Sequence, residues 1–259
     1  MSMPRGQLLD EMGLSPQWVL RAQPSVARGT VALVAEKPQP AALPEAVRNE
    51  LPREVPRMVS SVILRAEQIA DYGWEQLRES IGECRACGLC AERKQVVPGV
   101  GDEHAGWLFI GEGPGAEEDL RGEPFVGPAG KLLDSMLAAI DLDRHEGVYI
   151  TNAVKCRPPG NRTPEAVEMS ACAPYLKRQI ALIQPRLIVL LGRVAVHAVL
   201  GEEGSLASLR GKALAYRDGE RTIPVLVTYH PAYLLRTLPD KAKAWEDLCR
   251  ARALIKAAS

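Results

Sequence analysis

Chemistry in this chain is concentrated in its cysteines and in a few polar residues that follow short apolar runs. Cys84 and Cys87 form a Cys-x-x-Cys pair, a loop short enough for two thiolates to face one metal centre. Cys156 and Cys172 lie far downstream. Four thiolates can hold a 4Fe-4S cluster or a zinc ion. The plain alternative is a chance pair plus buried thiols. Zinc more often takes two separate Cys-x-x-Cys elements, whereas here one such pair is matched with two distant single cysteines, which tilts the set toward a cluster. Cys90 is the nearest competitor as a ligand, and Cys249, in the C-terminal helical stretch, reads as a small core residue.

The second group of residues sits where apolar runs end. Gly111-Glu112-Gly113-Pro114-Gly115 precedes the acidic run Glu117-Glu118-Asp119. Its glycines let the backbone turn tightly and approach a ligand, but Pro114 and the acidic run conflict with a dinucleotide-phosphate loop. Glu112, at a strand end, suits acid–base work or acceptance of a substrate N–H. Phe125 lies in Gly122–Gly130, a loop where a flat ring can stack on a base. Asn152 offers a donor and an acceptor together, the pattern that reads a pyrimidine edge. His230 can donate to an oxygen that gains negative charge. After it, Leu234, Leu235 and Arg236 suit wedging into a duplex while touching phosphate. Taken singly, each has a bland reading: a turn, a core ring, a turn-forming Asn, a helix start. His197 falls in a helix and reads as structural, while His104 and His145 fall in exposed loops.

These residues need a frame. Trp107–Ile110, Val148–Asn152, Arg186–Leu191 and Ile223–Thr228 read as strands. Between and after them, Gly130–Ile140, Thr163–Ile183, Arg193–Leu200 and Lys241–Ala257 read as helices, the second with Thr163 as N-cap and Pro164 in the first turn. Alternating strands and helices predict an α/β fold: three αβα layers around a central, mostly parallel four-stranded sheet, plus an N-terminal extension. Ligands in such folds sit at the carboxyl ends of strands, where the residues above fall. Residues 1–73 are read as that extension, a short helix at Ser15–Arg21 followed by a Pro/Ala-rich flexible linker, and residues 74–259 as the main domain. Trp18 and Val19 make a partner-docking helix on a tether the reading for the first segment.

A hydrophobic fraction of 46% supports a core. A formal net charge of zero means that no global field draws the chain to nucleic acid, so any such contact needs a local basic face. There is no long apolar run or leader-like N-terminus, so a cytoplasmic protein with no membrane association is expected.

Together the motifs resemble the family 4 uracil-DNA glycosylases. The resemblance runs from about Trp74 to Leu254 and rests on Cys84-x-x-Cys87, Gly111–Asp119, Gly122–Gly130, Thr151–Pro159, Asn161–Pro164, Cys172 and His230–Arg236, in matching order and spacing. It implies a structural 4Fe-4S cluster on Cys84, Cys87, Cys156 and Cys172, with Cys90 left out. It implies a monomer acting on uracil-containing DNA, releasing uracil by hydrolysis and leaving an abasic site. Phe125 then stacks on the flipped base, Asn152 pairs with its N3–O4 edge and His230 donates to O2. Glu112, Gly113 and Glu118 surround the pocket and the attacking water. Three departures accompany it. Gly113 stands where related enzymes carry a water-positioning aspartate, Ala232 stands where many carry Ser, and the Lys-Arg-Arg-Ile-His loop of a covalently reacting subgroup is absent. The rival readings are a cluster-bearing DNA-binding or damage-sensing protein without glycosylase activity, and a zinc-stabilised scaffold.

Overall fold

The computed structural model describes residues 55–257. The helix expected at Ser15–Arg21 and nearly all of the Pro-rich stretch lie outside them. The described residues belong to one compact unit, Pro52–Ser259. Its strands are β1 (Val100–Gly101), β2 (Trp107–Gly111), β3 (Val148–Asn152), β4 (Leu187–Leu191), β5 (Leu214–Asp218) and β6 (Arg221–Thr228). Its helices are α1 (Val55–Ala70), α2 (Trp74–Glu83), α3 (Ala116–Arg121), α4 (Pro128–Ala138), α5 (Ala166–Ile183), α6 (Arg193–Leu200), α7 (Leu206–Leu209), α8 (Pro231–Leu234) and α9 (Lys241–Ala257). None is long and apolar enough to cross a membrane.

The described strands form one six-stranded sheet in the order β1-β3-β2-β4-β6-β5. The four expected strands are its parallel centre, with Gly111 opposite Asn152 and Leu191 opposite Thr228 at their carboxyl ends. The sheet is wider than expected because β1 and β5 add antiparallel edges. Strand β1 is only two residues long, too short for any periodic signal. Strand β5 joins β6 in a hairpin through Asp218-Gly219-Glu220, where Gly219 takes φ 60°. That Asp-Gly step is a hairpin signal in the sequence.

Side chains alternate across the central strands, so each strand is buried on both faces. On one face Phe109, Ile150 and Val189 pack under Leu133 and Leu137 of α4 and Leu248 of α9. On the other, Leu108, Ile188 and Val225 pack under Leu176 and Ile180 of α5 and Val196 of α6. Burying each such side chain contributes about 1.5–3 kcal/mol.

Two local expectations change. The start of α5 is capped by Glu165 rather than by Thr163. The carboxylate of Glu168 accepts the Glu165 N–H at 2.7 Å and is held by Arg162 at 2.6 and 2.8 Å, which fixes the first turn two residues later. Cys249 is exposed on α9 rather than buried in the core. Helix α1 lies inside the stretch read as extension. Its Ile69 is buried with Leu77, Ile81 and Tyr175 in a small separate core, and Arg65 donates to the Ala171 carbonyl at 2.9 Å.

Candidate active site and cysteine cavity

The carboxyl ends of the parallel strands open into a cavity of about 830 Å³. Glu112, Gly113, Glu118, Phe125, Asn152, His230 and Arg236 all line it, so seven of the residues singled out in sequence are brought together.

Asn152 ends β3 at the cavity floor. It is 1% exposed, and among the described residues its Oδ1 has no hydrogen-bond partner. A buried acceptor left unpaired costs free energy unless a ligand supplies the donor. Gly111, its partner on β2, makes room. A Cβ at that position would lie 2.4 Å from Asn152 Oδ1 and 2.6 Å from the Phe125 ring. The amide oxygen and the ring therefore share one space that only glycine leaves open.

Phe125 takes φ 56°, a left-handed conformation uncommon for a non-glycine residue. Several contacts hold it there. Glu118 accepts the N–H groups of Val126 and Gly127 at 3.0 Å each, and that of Gly115 at 3.1 Å. Arg144 donates to the Phe125 carbonyl at 2.8 Å while pairing with Glu123 and Asp134. A side chain at Gly130 would collide with the same carbonyl, at 1.8 Å. The ring lies 5.4 Å from that of His230, with 29° between their planes.

His230 caps α8: its Nδ1 accepts the Ala232 N–H at 3.1 Å. This bond assigns the remaining proton to Nε2. Burial, reinforced by the Arg236 charge, pushes the imidazole down to about 4. The ring is therefore neutral at physiological pH and presents one N–H donor.

Glu112 and Glu118 are the carboxylates of the cavity wall. Both Glu118 oxygens are engaged by main-chain N–H groups. Glu112 is raised above the ordinary carboxylate range by burial, opposed by the Thr163 hydroxyl and the Arg193 charge. Gly113 lets this turn approach β3, since a Cβ there would lie 2.8 Å from the Val154 side chain.

The pair expected to wedge into DNA divides. Leu234 is 1% exposed and packs in the core beside α4 and α9, so it cannot reach a duplex. Leu235 is 42% exposed, and Arg236 is exposed at the cavity rim. On a helical turn adjacent residues point apart, and the core claims one of them.

Behind the floor lies a second cavity. Cys84, Cys87, Cys156 and Cys172 line it together with Cys90, among apolar neighbours Ile81, Leu89 and Val154. Arg93 donates to Cys156 Sγ at 3.1 Å and Arg65 to Cys84 Sγ at 3.5 Å. Burial pushes the thiol of Cys172 up to about 12 and raises those of Cys87 and Cys156. Among the described residues no three His, Cys, Asp or Glu side chains converge to hold a single ion.

Some contributors carried no sequence signal of their role. Arg144 is distant in sequence from the loop it holds. Thr163 and Arg193 reach Glu112 only through the fold. Lys155 sits inside a motif already noted, yet nothing in its spacing marks it as buried.

Residues 98–249 match the family described as the uracil DNA glycosylase superfamily. The chain is 45% identical over 177 residues to the type-4 uracil-DNA glycosylase of Sulfurisphaera tokodaii, covering 67% of this chain and 80% of that protein. It is 42% identical over 192 residues to the type-4 uracil-DNA glycosylase of Thermotoga maritima, covering 71% of this chain and 98% of the relative. Similarity extends at 34% identity over 193 residues to the type-5 uracil-DNA glycosylase of Thermus thermophilus, covering 60% of this chain and 85% of the relative.

Proposed function

The chain belongs to the uracil-DNA glycosylase superfamily, and from that premise we propose that it removes uracil from DNA by hydrolysing the N-glycosidic bond, leaving an abasic site. The observation that carries the reading is the unpartnered Oδ1 of Asn152, buried beside the Phe125 ring. Uracil carries an N–H at N3, which that oxygen accepts, and a carbonyl at O4, which the amide NH₂ can meet. Cytosine has no N3 proton and an amine in place of O4, so it leaves the oxygen unpaired and faces donor with donor.

The flipped base stacks on Phe125, which the Glu118 and Arg144 contacts hold in place. As the C1′–N1 bond breaks, negative charge grows on the base and positive charge on the sugar. His230, neutral with its proton on Nε2, donates to O2 and stabilises the departing anion by hydrogen bonding alone. Glu112 orders the water that adds to C1′. The aspartate missing at Gly113 is tolerable because leaving-group stabilisation lowers much of the barrier. Leu235 fills the gap left by the extruded base and Arg236 contacts phosphate.

The donor set of the second cavity fits a 4Fe-4S cluster. Five cysteines line one largely apolar space, enough for four thiolate ligands, and two arginines offset the charge of such ligands. Cys84, Cys87, Cys156 and Cys172 are the ligands under this reading, and Cys90 stands aside. When bound, such a group supplies a rigid cross-link among α2, the loop after β3 and α5 rather than redox chemistry. The protein is read as a cytoplasmic monomer, with Trp18 and Val19 in a tethered segment that docks a protein partner. Deleting residues 1–54 without changing the pull-down partners would remove that last reading.

An oligonucleotide carrying one uracil, incubated with the protein and then cleaved by alkali, tests the activity. A cut at the uracil position, absent for the cytosine control, is expected. Binding of the oligonucleotide with no alkali-labile site would establish the rival, a DNA-binding protein without glycosylase activity.

A further inference from the structure

Lys155 is enclosed by protein, 1% exposed, and among the described residues it pairs with no carboxylate. A buried ammonium is expensive unless every proton is used. Here each is: Nζ donates to Thr151 Oγ1 at 2.6 Å, to the Asn152 main-chain carbonyl at 2.7 Å and to Gln179 Oε1 at 2.6 Å. The partners are fixed in turn. Gln179 Nε2 and Thr151 Oγ1 both donate to the Pro98 carbonyl, at 2.9 and 2.7 Å. The main chain of Lys155 is held as well, its carbonyl accepting the Val97 N–H at 2.8 Å. Its own N–H faces the sulfur of Cys172, and the next residue is Cys156.

We propose that Lys155 is a positioning residue for base selection: it clamps the Asn152 peptide from behind and ties it to the cysteine cavity. The chain leaves the sheet after Asn152, where the Ala153 N–H donates to the Gly111 carbonyl at 2.9 Å and the Val154 N–H to the Glu112 carbonyl at 3.2 Å. The base-reading amide sits on that peptide and has no hydrogen bond to its Oδ1. Its orientation is therefore inherited from the backbone, and the ammonium is the side-chain contact that holds the Asn152 carbonyl of that backbone. An amide that rocks or turns over loses its preference for uracil. This proposal rests on the glycosylase reading above.

The test uses full-length, cluster-loaded protein with Lys155→Met, which keeps the length of the side chain and removes its donors, and Gln179→Met, which removes one acceptor and leaves Lys155 in place. Iron content and visible absorbance report the cluster, and thermal melting reports the fold. Single-turnover cleavage, KM for DNA, and equilibrium dialysis of labelled uracil report the pocket. With the cluster retained and KM for DNA unchanged, Lys155→Met is expected to cut the single-turnover rate about 100-fold, as small misplacements of a positioned group do. Uracil binding weakens in parallel and the ratio of uracil to cytosine cleavage narrows. Gln179→Met moves the same quantities in the same direction by less. Wild-type rate and uracil affinity in Lys155→Met, or a lowered melting temperature with the rate per loaded molecule unchanged, would overturn the proposal. If Lys155→Met does not fold, a wild-type rate in Gln179→Met overturns it. Wild-type protein that cleaves no uracil oligonucleotide would sink the glycosylase reading instead, and dialysis of uracil against the variants would still decide the role of Lys155.

Discussion

The base pocket and the cysteine cavity meet at residues 152–156, yet they are built on opposite plans. The pocket stands on the ends of parallel strands, and the polar group at its centre, Asn152 Oδ1, is left without a partner. The cysteine cavity is assembled from α2, a loop and α5, and its sulfurs already receive N–H groups from Arg65, Arg93 and Lys155. A site that exchanges ligands keeps its acceptor open, whereas a site suited to a permanent occupant surrounds its donors with compensating charge.

The largest effect should come from breaking the pocket side alone. His230→Ala removes the donor aimed at the leaving base, and single-turnover cleavage should fall roughly 100- to 1000-fold, the loss typical of one oxyanion donor. Melting temperature should fall by only about 2–4 °C, the cost of losing the cap on α8. Near-wild-type cleavage would take His230 out of the mechanism. Breaking the other side should read differently. Cys172→Ala should abolish the visible absorbance and lower stability by about 3 kcal/mol, or roughly 10 °C in melting temperature for a domain of this size. Full iron content in that variant would show that Cys90 or another group completes the set.

A third experiment separates packing from DNA contact within one turn of chain. Leu234→Ala opens a core cavity and should cost about 2–5 kcal/mol of stability. Leu235→Ala should leave stability within about 0.5 kcal/mol and slow cleavage of duplex more than of single-stranded substrate. Equal effects of the two on duplex cleavage would contradict the division.

The last comparison concerns pH. Folded His230 titrates at about 4, below its ordinary 6.5. Between those values the unfolded chain holds a proton that the folded protein lacks. The stability this group contributes is full above pH 6.5, falls as pH drops toward 4, and then levels off. The neutral donor persists through the same window, so kcat/KM should show no inflection near 6.5. An inflection there, lost in His230→Ala, would mean that the imidazolium forms in the working enzyme.

Sequence reached the two sites unequally, for physical reasons. The four central strands, the strand-end placement of Glu112, Asn152 and His230, and the gathering of Cys84, Cys87, Cys156 and Cys172 around one cavity were legible, though Cys90 joins them there, because apolar runs, turn glycines and cysteine spacing are local signals. Contributions that depend on tertiary direction were not. Leu234 and Leu235 are identical in type, and only the packing of α8 decides which one faces outward. Thr163 looked like a cap until Glu168, gripped by Arg162, supplied the bond at Glu165. The cluster of Arg144, Glu118 and Gly130 around Phe125 has no linear signature. The edge strand β5 is the exception among the tertiary features, since its Asp-Gly turn is written in the chain.

The unpaired oxygen of Asn152 has a kinetic side as well. On the proposed reading, breaking the glycosidic bond changes N1 of the base and leaves N3–H untouched, so the product can satisfy that oxygen as well as the substrate does. The cavity therefore has no thermodynamic reason to expel what it has just cut. Successive turnovers should be paced by departure of the free base, seen as a rapid first round of cleavage followed by a slower steady rate. For an enzyme whose targets are rare in a long polymer, that lag falls within the time spent searching for the next one.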